Sequence, residues 1–159
     1  MKICFVCQGN IIRSPLAENL FRHLAEEQGV SDQYQLDSAG TSAYHVGEAP
    51  DRRMREVAAK RGFVYSGQAR QFRRDDLSAF DLIIAMDQSN RKILESMAAD
   101  EDQLKKIRMM REFDPQGDQS LDVPDPYYGG LKGFEKTFQI VMRSSAGLLE
   151  ALENGLDPA

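Results

Sequence analysis

The sequence predicts a doubly wound α/β fold, and three observations support this prediction. Short apolar runs typical of buried strands alternate with segments that have helical spacing. The run 81–86 is continuously apolar after its first residue, as expected of a parallel strand covered on both faces. A chain of 159 residues is long enough to bury one such core. We therefore predict a single domain over residues 1–159, with a four-stranded parallel sheet in the order 2-1-3-4 and helices on both faces.

The first half of the chain is predicted to form two strands and two helices. Residues 2–6 are apolar after the initial lysine and form the first predicted strand. Leucine recurs at every fourth position over 15–28, which predicts an amphipathic helix that ends before a glycine. The run 34–38 is short and strand-like. A second helix is predicted over 50–61, again followed by a glycine.

The second half repeats this alternation. The run 81–86 is the third predicted strand, and the polar residues after it begin a helix over 87–98. Residues 106–110 form a weaker fourth strand, which a proline-rich loop separates from a last helix over 134–153. Ligands of such folds bind beyond the carboxyl ends of the strands. The segments after the four strands are therefore expected to meet at one edge of the sheet.

Composition and charge argue against several functions. The balance of 20 basic and 25 acidic residues gives a net charge of −5, which disfavours nucleic acid as a partner. No apolar run approaches the roughly 18 residues that a membrane-spanning helix needs, so we expect no membrane insertion. Two cysteines without a secretory signal indicate a reducing, cytoplasmic location. The basic clusters 52–55, 73–74 and 105–108 are typical of solvated faces or of contacts with an acidic substrate segment.

The segment Cys7-Gln-Gly-Asn-Ile-Ile-Arg-Ser14 joins the first strand to the first helix and carries the most informative residues. Such a junction binds anions, because free N–H groups and the positive helix end face the same point. A cysteine placed there beside an arginine is a thiolate at neutral pH, and Arg13 can hold two phosphoryl oxygens. We therefore predict that Cys7 is a nucleophile for phosphoryl transfer and that Ser14 donates its hydroxyl to the sulfur. The predicted phosphate-binding amides are those of Gln8, Gly9, Asn10, Ile11 and Ile12.

Cys4 and Cys7 also form a Cys-x-x-Cys pattern, which suggests redox or metal chemistry. If residues 2–6 are a strand, the two Cα atoms lie about 10 Å apart, whereas a disulfide needs about 7 Å or less. A zinc site would need two more ligands, and His23 and His45 lie outside the usual spacing. Cys4 is therefore expected to be a small buried apolar residue.

A general acid is expected in the proline-rich loop after the fourth strand. The oxygen that leaves phosphorus needs a proton donor, and an aspartic acid is suited to this role. Three aspartates lie in the loop, Asp118, Asp122 and Asp125. The residues alone leave the choice among them open.

Over nearly its whole length the chain resembles the low-molecular-weight protein tyrosine phosphatases. The similarity implies hydrolysis of phosphotyrosine in proteins through a cysteinyl-phosphate intermediate, with no cofactor and no metal. Inorganic phosphate and other oxyanions would be products or inhibitors. The similar motifs, besides Cys-x-x-Gly-Asn-x-x-Arg-Ser, are Ser38-Ala-Gly-Thr-Ser42, Ala69-Arg-Gln71, Ala85-Met-Asp-Gln-Ser-Asn90 and Asp125-Pro-Tyr-Tyr-Gly129.

The resemblance also implies roles for individual residues. It selects Asp125 as the general acid, whose carboxylate later activates water. It places Ser38 and Asp87 behind the loop as supporting residues. The walls of the cleft, which suit a phenyl ring, are implied to be Tyr44, Tyr127 and Tyr128.

Four residues depart from the pattern of many family members. Ile12 replaces a second cysteine that can form a reversible disulfide with the nucleophile, so this protection from oxidation is expected to be lacking. Gly67 replaces a histidine, and His45 replaces an asparagine next to the aromatic wall. Tyr44 replaces a tryptophan, and its smaller ring is expected to alter substrate preference.

Two other classes of function are weighed against the phosphatase. An arsenate reductase on this scaffold needs further cysteines to relay a disulfide, and none follows Cys7. A non-catalytic phosphotyrosine-binding module would be expected to lack Cys7, Arg13 or Asp125, and all three are present. The phosphatase is therefore the leading hypothesis, and the physiological substrate and the oligomeric state stay open.

Overall fold

The computed structural model describes residues 1–117 and 120–156, and a parallel four-stranded sheet in the order β2-β1-β3-β4 lies at its centre. This order confirms the predicted fold class. The register pairs Cys7 with Gly40 and Val6 with Ala85, so the carboxyl ends of the strands lie at one edge. The strands are β1 Lys2–Cys7, β2 Gln35–Gly40, β3 Leu82–Ala85 and β4 Ile107–Met109.

The helices of the described residues alternate with these strands, as predicted. The predicted ends differ from the observed ends by up to three residues. Two short helices were not predicted, because four or five residues are too few to show a helical period. The helices are α1 Arg13–Glu27, α2 Arg52–Lys60, α3 Asp76–Ala79, α4 Gln88–Met97, α5 Glu101–Lys105 and α6 Leu131–Glu153.

The two faces of the sheet bury separate apolar clusters. Successive side chains of β1 point to opposite faces, so Phe5 and Cys7 pack with residues of α1, α2 and α6. Cys4 and Val6 belong to the second cluster, which includes Leu94 of α4. Helices therefore cover both faces, as predicted, and the two thiols are free and project from opposite sides of the sheet.

The segments that follow the strands converge at the carboxyl edge. A Cβ atom added to Gly40 would lie 2.6 Å from the carbonyl oxygen of Gln8, so the end of β2 packs directly on the loop after β1. The N–H group of Val123 donates to the carbonyl of Met86 at 2.7 Å, which ties the loop after β4 to the end of β3. Within residues 1–117 and 120–156, no helix has both the length and the apolar character needed to cross a bilayer.

Asp114 anchors the segment after β4 to helix α6. Its fully buried carboxylate accepts hydrogen bonds from Nε and Nη2 of Arg143, at 3.0 and 3.1 Å. The N–H group of Gln116 and Nε of Arg111 donate to it as well. Burial alone would raise the pKa of Asp114, but these hydrogen bonds outweigh burial and lower the pKa.

We expect Asp114→Asn to lower the free energy of unfolding by about 3 kcal/mol at neutral pH, because it leaves buried donors without their charged partner. The pKa of Asp114 is lower in the folded state than in the unfolded state. The carboxylate therefore stabilises the fold above the unfolded-state pKa, about pH 4, and this stabilisation is lost as pH falls through the folded-state pKa. Urea unfolding of both proteins over a pH series measures the difference.

The matched control is Glu135→Gln, which removes an exposed carboxylate that pairs with Arg61 at 3.2 Å. Exposed ion pairs contribute little, so its effect should stay below about 1 kcal/mol. A difference between wild type and Asp114→Asn that does not shrink in acid would contradict the assignment.

Candidate active site

A cavity of about 520 Å³ opens at the carboxyl edge of the sheet. It brings together the three residues to which the sequence assigns chemistry, Cys7, Arg13 and Asp125. Three separate segments contribute to its wall, the loop after β1, the segment after β2 and the loop before α6. The remaining lining residues are Gln8, Gly9, Ile11, Ile12, Ser42, Tyr44, His45, Tyr127 and Tyr128.

The backbone of the loop after β1 is arranged to receive an anion. The carbonyl groups of Cys7, Gln8 and Ile11 accept hydrogen bonds from neighbouring segments at 2.9, 3.0 and 2.8 Å. In contrast, none of the N–H groups of residues 8–13 donates a hydrogen bond to a described residue. Buried N–H groups are rarely left unpaired. Free backbone donors at the start of a helix such as α1 are suited to bind phosphate-like groups.

Asn10 holds this loop in shape from behind. Its φ of 56° lies in the left-handed region, which asparagine tolerates better than most residues. The side-chain Nδ2 donates to the hydroxyl oxygens of Ser14 and Ser38 at 2.8 and 2.9 Å, and Oδ1 accepts from the N–H group of Arg70. Asn10 and Ser14 are buried and lie outside the cavity lining, so they contact the loop rather than the open space.

The two cysteines have different surroundings. The sulfur of Cys7 lies 3.0 Å from the hydroxyl oxygen of Ser14 and faces the cavity. The Ser14 hydroxyl oxygen accepts from Asn10, and its own proton has two acceptors within reach, the Cys7 sulfur at 3.0 Å and the Ala39 carbonyl at 3.4 Å. Cys4 is fully buried, with Nη2 of Arg70 3.8 Å from its sulfur, and burial raises the pKa of its thiol well above the usual value. Cys7 therefore has the environment of a nucleophile and Cys4 that of a core residue.

Arg13 is held rigidly in the wall of the cavity. Its Nη1 donates to the Asp87 carboxylate at 2.7 Å and to the Val123 carbonyl at 3.0 Å. Its Nη2 lies 3.5 Å from a carboxylate oxygen of Asp125. Burial disfavours the charged guanidinium, but the electrostatic interactions with Cys7, Asp87 and Asp125 outweigh it and raise the pKa of Arg13. The cavity thus contains one fixed positive charge.

Asp87 accepts two hydrogen bonds from different parts of the molecule. Its Oδ2 binds the guanidinium of Arg13, and its Oδ1 accepts from the N–H group of Asn90 at 2.8 Å. The second contact caps the first turn of α4. One short side chain therefore fixes both a helix start and the orientation of the arginine.

Of the candidate acids that the structure describes, only Asp125 lines the cavity. Its Oδ1 accepts from the N–H group of Tyr127 at 3.0 Å, and Oδ2 faces Arg13. Asp122 instead accepts from the N–H group of Gln88 at the start of α4. Asp118 lies outside the described residues.

Aromatic side chains form the mouth of the cavity. Tyr44 is 85% exposed and Tyr128 is 97% exposed, whereas Tyr127 is half-buried beside them. The His45 ring lies between Tyr44 and Tyr127, with centroids 4.9 and 6.1 Å apart, and its Nδ1 is 2.8 Å from a carboxylate oxygen of Glu48. His45 and Ser42 were not among the predicted lining residues.

Two further residues contact the site loops and were missed by sequence reasoning. Asp51 caps α2 and its N–H group donates to the carbonyl of Ile11, and Arg53 donates to the carbonyl of Tyr127. Asp51 follows a proline at the start of a helical pattern, which is a readable cap signal. Nothing in the sequence indicates the partner of Arg53.

Within the described ranges, no three His, Cys, Asp or Glu side chains lie close enough together to hold a metal ion.

Comparison with known proteins identifies the family. The sequence model for low molecular weight phosphotyrosine protein phosphatases matches residues 2–157. A low molecular weight protein-tyrosine-phosphatase of Streptomyces coelicolor is 42% identical over 159 residues, covering 98% of this chain and 96% of the relative. A protein tyrosine phosphatase of Entamoeba histolytica superposes with a TM-score of 0.92 at 39% identity, with 98% of each chain covered.

A Drosophila arginine phosphatase superposes with a TM-score of 0.89 at 30% identity, and the match covers 98% of this chain and 100% of the Drosophila chain. The fold is thus shared by proteins named for two phosphorylated amino acids. The family model, the sequence relatives and the structural neighbours agree. This chain belongs to the low molecular weight phosphotyrosine protein phosphatase family.

Proposed function

We propose that this protein hydrolyses phosphotyrosine in proteins, with Cys7, Arg13 and Asp125 as its catalytic residues. One observation carries the proposal. A sulfur nucleophile, a fixed guanidinium, a carboxyl group and the loop whose N–H groups are free over residues 8–13 meet at the same cavity. These are the groups that transfer of a phosphoryl group to sulfur and then to water requires.

In the first step the Cys7 thiolate attacks phosphorus, so that an S–P bond forms as the bond between phosphorus and the tyrosyl oxygen breaks. The protonated carboxyl of Asp125 gives its proton to the departing oxygen, which leaves as a neutral phenol. The N–H groups of residues 8–13 and the guanidinium of Arg13 bind the phosphoryl oxygens as charge moves onto them. The enzyme is left as cysteinyl phosphate with an ionised Asp125.

In the second step water hydrolyses the intermediate. The Asp125 carboxylate takes a proton from the attacking water, the new O–P bond forms and the S–P bond breaks. The Ser14 hydroxyl, 3.0 Å from the sulfur, donates to Cys7 as its negative charge returns. Inorganic phosphate is released, and it binds the same N–H groups and guanidinium, so phosphate and other oxyanions are expected to inhibit competitively.

The walls of the cavity favour an aryl substrate. Tyr44, Tyr127 and Tyr128 provide flat apolar surfaces for the ring that carries the phosphate. The same rings can stack on a guanidinium group, so phosphoarginine, for which the Drosophila neighbour is named, is the second substrate to test. Removing the charged guanidinium from water needs hydrogen-bond acceptors, and among the described residues Asp125 is the only carboxylate on the lining of the cavity.

We expect kcat/KM for a phosphotyrosyl peptide to exceed that for the phosphoarginyl peptide of the same sequence by at least about tenfold. Phosphate release from the two peptides measures this ratio, with and without a metal chelator. The chelator is expected to leave the rates unchanged. A preference for the phosphoarginyl peptide would contradict the proposed substrate, and a loss on chelation that added metal restores would contradict the proposed mechanism.

The proposed place of action is the cytoplasm. Both cysteines are free thiols, and the mechanism needs one of them unoxidised. A reducing compartment maintains that state.

A further inference from the structure

Arg53, in the first turn of α2, contacts two parts of the active site. Its Nη1 donates to the carbonyl of Tyr127 at 3.0 Å. Its Nε and Nη2 donate to the two carboxylate oxygens of Asp51 at 3.2 and 2.9 Å. A planar guanidinium can make these three contacts at once, because its N–H groups point in fixed directions.

On one side, the ion pair of Arg53 and Asp51 is fixed to the loop after β1. The N–H group of Asp51 donates to the carbonyl of Ile11 at 2.8 Å. The side chain of Asp51 also caps α2, accepting from the N–H group of Arg53 at 2.8 Å. Asp51 is thus held by the phosphate-binding loop and by the helix, and it presents its carboxylate to Arg53 from a fixed position.

On the other side, the ion pair of Arg53 and Asp51 is fixed to the loop that carries Asp125. The N–H group of Tyr127 donates to Oδ1 of Asp125, and the carbonyl of the same residue accepts from Arg53. The guanidinium carbon of Arg53 lies 5.3 Å from the centre of the Tyr127 ring and 4.6 Å from that of Phe134 in α6. Both peptide groups of Tyr127 are therefore hydrogen-bonded, one to the acid and one to Arg53.

The geometry points to Arg53 as a positioning residue, which with Asp51 fixes the carboxyl of Asp125 relative to the phosphate-binding loop. This inference rests on the proposed function, in which Asp125 protonates the leaving oxygen. Proton transfer requires the donor within hydrogen-bond reach of that oxygen. The side chains of Arg53 and Asp51 are 38% and 11% exposed, so the pair is partly buried between the two active-site loops that it joins.

The test compares Arg53→Met with wild type on two aryl phosphates. The methionine keeps an apolar side chain over the rings and removes the three hydrogen bonds. We expect kcat/KM for phenyl phosphate, whose phenolate is a poor leaving group without a proton, to fall about tenfold. For 4-nitrophenyl phosphate, whose leaving group needs little help, the fall should stay below about twofold.

A double-mutant cycle shows whether the effect passes through the acid. If Arg53 acts by placing Asp125, then Arg53→Met should cause no further loss with phenyl phosphate when Asp125 is already alanine. Arg53→Lys tests the same point with the charge kept. A lysine cannot hold Asp51 at two oxygens while reaching the Tyr127 carbonyl, so the same selective loss, smaller in size, is expected.

Arg61→Met is the matched control. Arg61 follows α2, is 39% exposed, pairs with Glu135 and lies over the Phe138 ring at 5.0 Å, and it makes no hydrogen bond, ion pair or ring contact with the described residues of either active-site loop. It should leave the ratio of the two kcat/KM values unchanged. Equal losses on both substrates in Arg53→Met, additive losses in the cycle, or a selective loss in Arg61→Met would overturn the inference. If Asp125→Ala itself shows no dependence on the leaving group, the proposed acid fails, and this inference fails with it.

Discussion

Replacing Cys7 with serine is expected to lower kcat by at least about 10⁴-fold, while inorganic phosphate still binds. A serine hydroxyl stays protonated at neutral pH, and no described base lies beside it to activate it. The groups proposed to bind phosphate, which are the N–H groups of residues 8–13 and the guanidinium of Arg13, are unchanged by the substitution. Turnover of an aryl phosphate and calorimetric titration with phosphate measure the two properties separately.

The chain provides its own control in Cys4, which projects from the opposite face of the sheet. Cys4→Ala should retain the wild-type kcat, because the side chain is fully buried and does not line the cavity. Iodoacetate should alkylate Cys7 and not Cys4, and phosphate should protect Cys7. A Cys7→Ser protein that turns over at the wild-type rate would show that the sulfur is not the nucleophile.

Replacing Asp125 with alanine is the second large effect that we expect. For phenyl phosphate, kcat/KM should fall by about 10²–10⁴, the usual contribution of a general acid. The fall should be much smaller for 4-nitrophenyl phosphate, whose phenol leaves readily without a proton. The value of kcat should fall for both substrates, since Asp125 also activates the water that hydrolyses the shared intermediate. Steady-state rates over a series of substituted phenols measure this dependence.

Asp122→Ala is the control for the loop. Asp122 lies three residues before Asp125, but its carboxylate accepts from the N–H group of Gln88 and does not line the cavity. Its replacement should cost about 1 kcal/mol of stability through the lost contact at the start of α4. The dependence on the leaving group should remain that of wild type. If kcat/KM depended on the leaving group to the same extent in Asp125→Ala and in wild type, another group would have to protonate the phenol.

The parts of the structure that were predictable depend on short stretches of sequence. The apolar run around β3 and the leucine spacing of α1 indicate their elements without any knowledge of distant residues. The junction from Cys7 to Ser14 is equally local, because strand, loop and helix are consecutive. The sequence therefore predicted the sheet, the strand order and the position of the anion-binding loop.

The parts that were missed depend on contacts between distant residues. Arg53 reaches a carbonyl 74 residues away, and backbone carbonyls carry no signal in a sequence. The residues alone left the choice among three aspartates open, because that choice depends on the position of their loop, which the hydrogen bond from Val123 to Met86 fixes; only the resemblance to the family selected Asp125. Helices α3 and α5 have only four and five residues, which is too few to show a helical period. Helices this short depend on tertiary packing for their stability.

The two hydrogen bonds of Asp87 make folding and catalysis inseparable at one position. Asparagine there would still accept the bond from Asn90 but would lose its charge toward Arg13, and glutamate would keep the charge but displace the oxygen from the helix. Substitutions at this residue are therefore expected to change thermal stability and activity together. A melting-temperature survey of variants at position 87, made without any substrate, would report damage to the reaction centre.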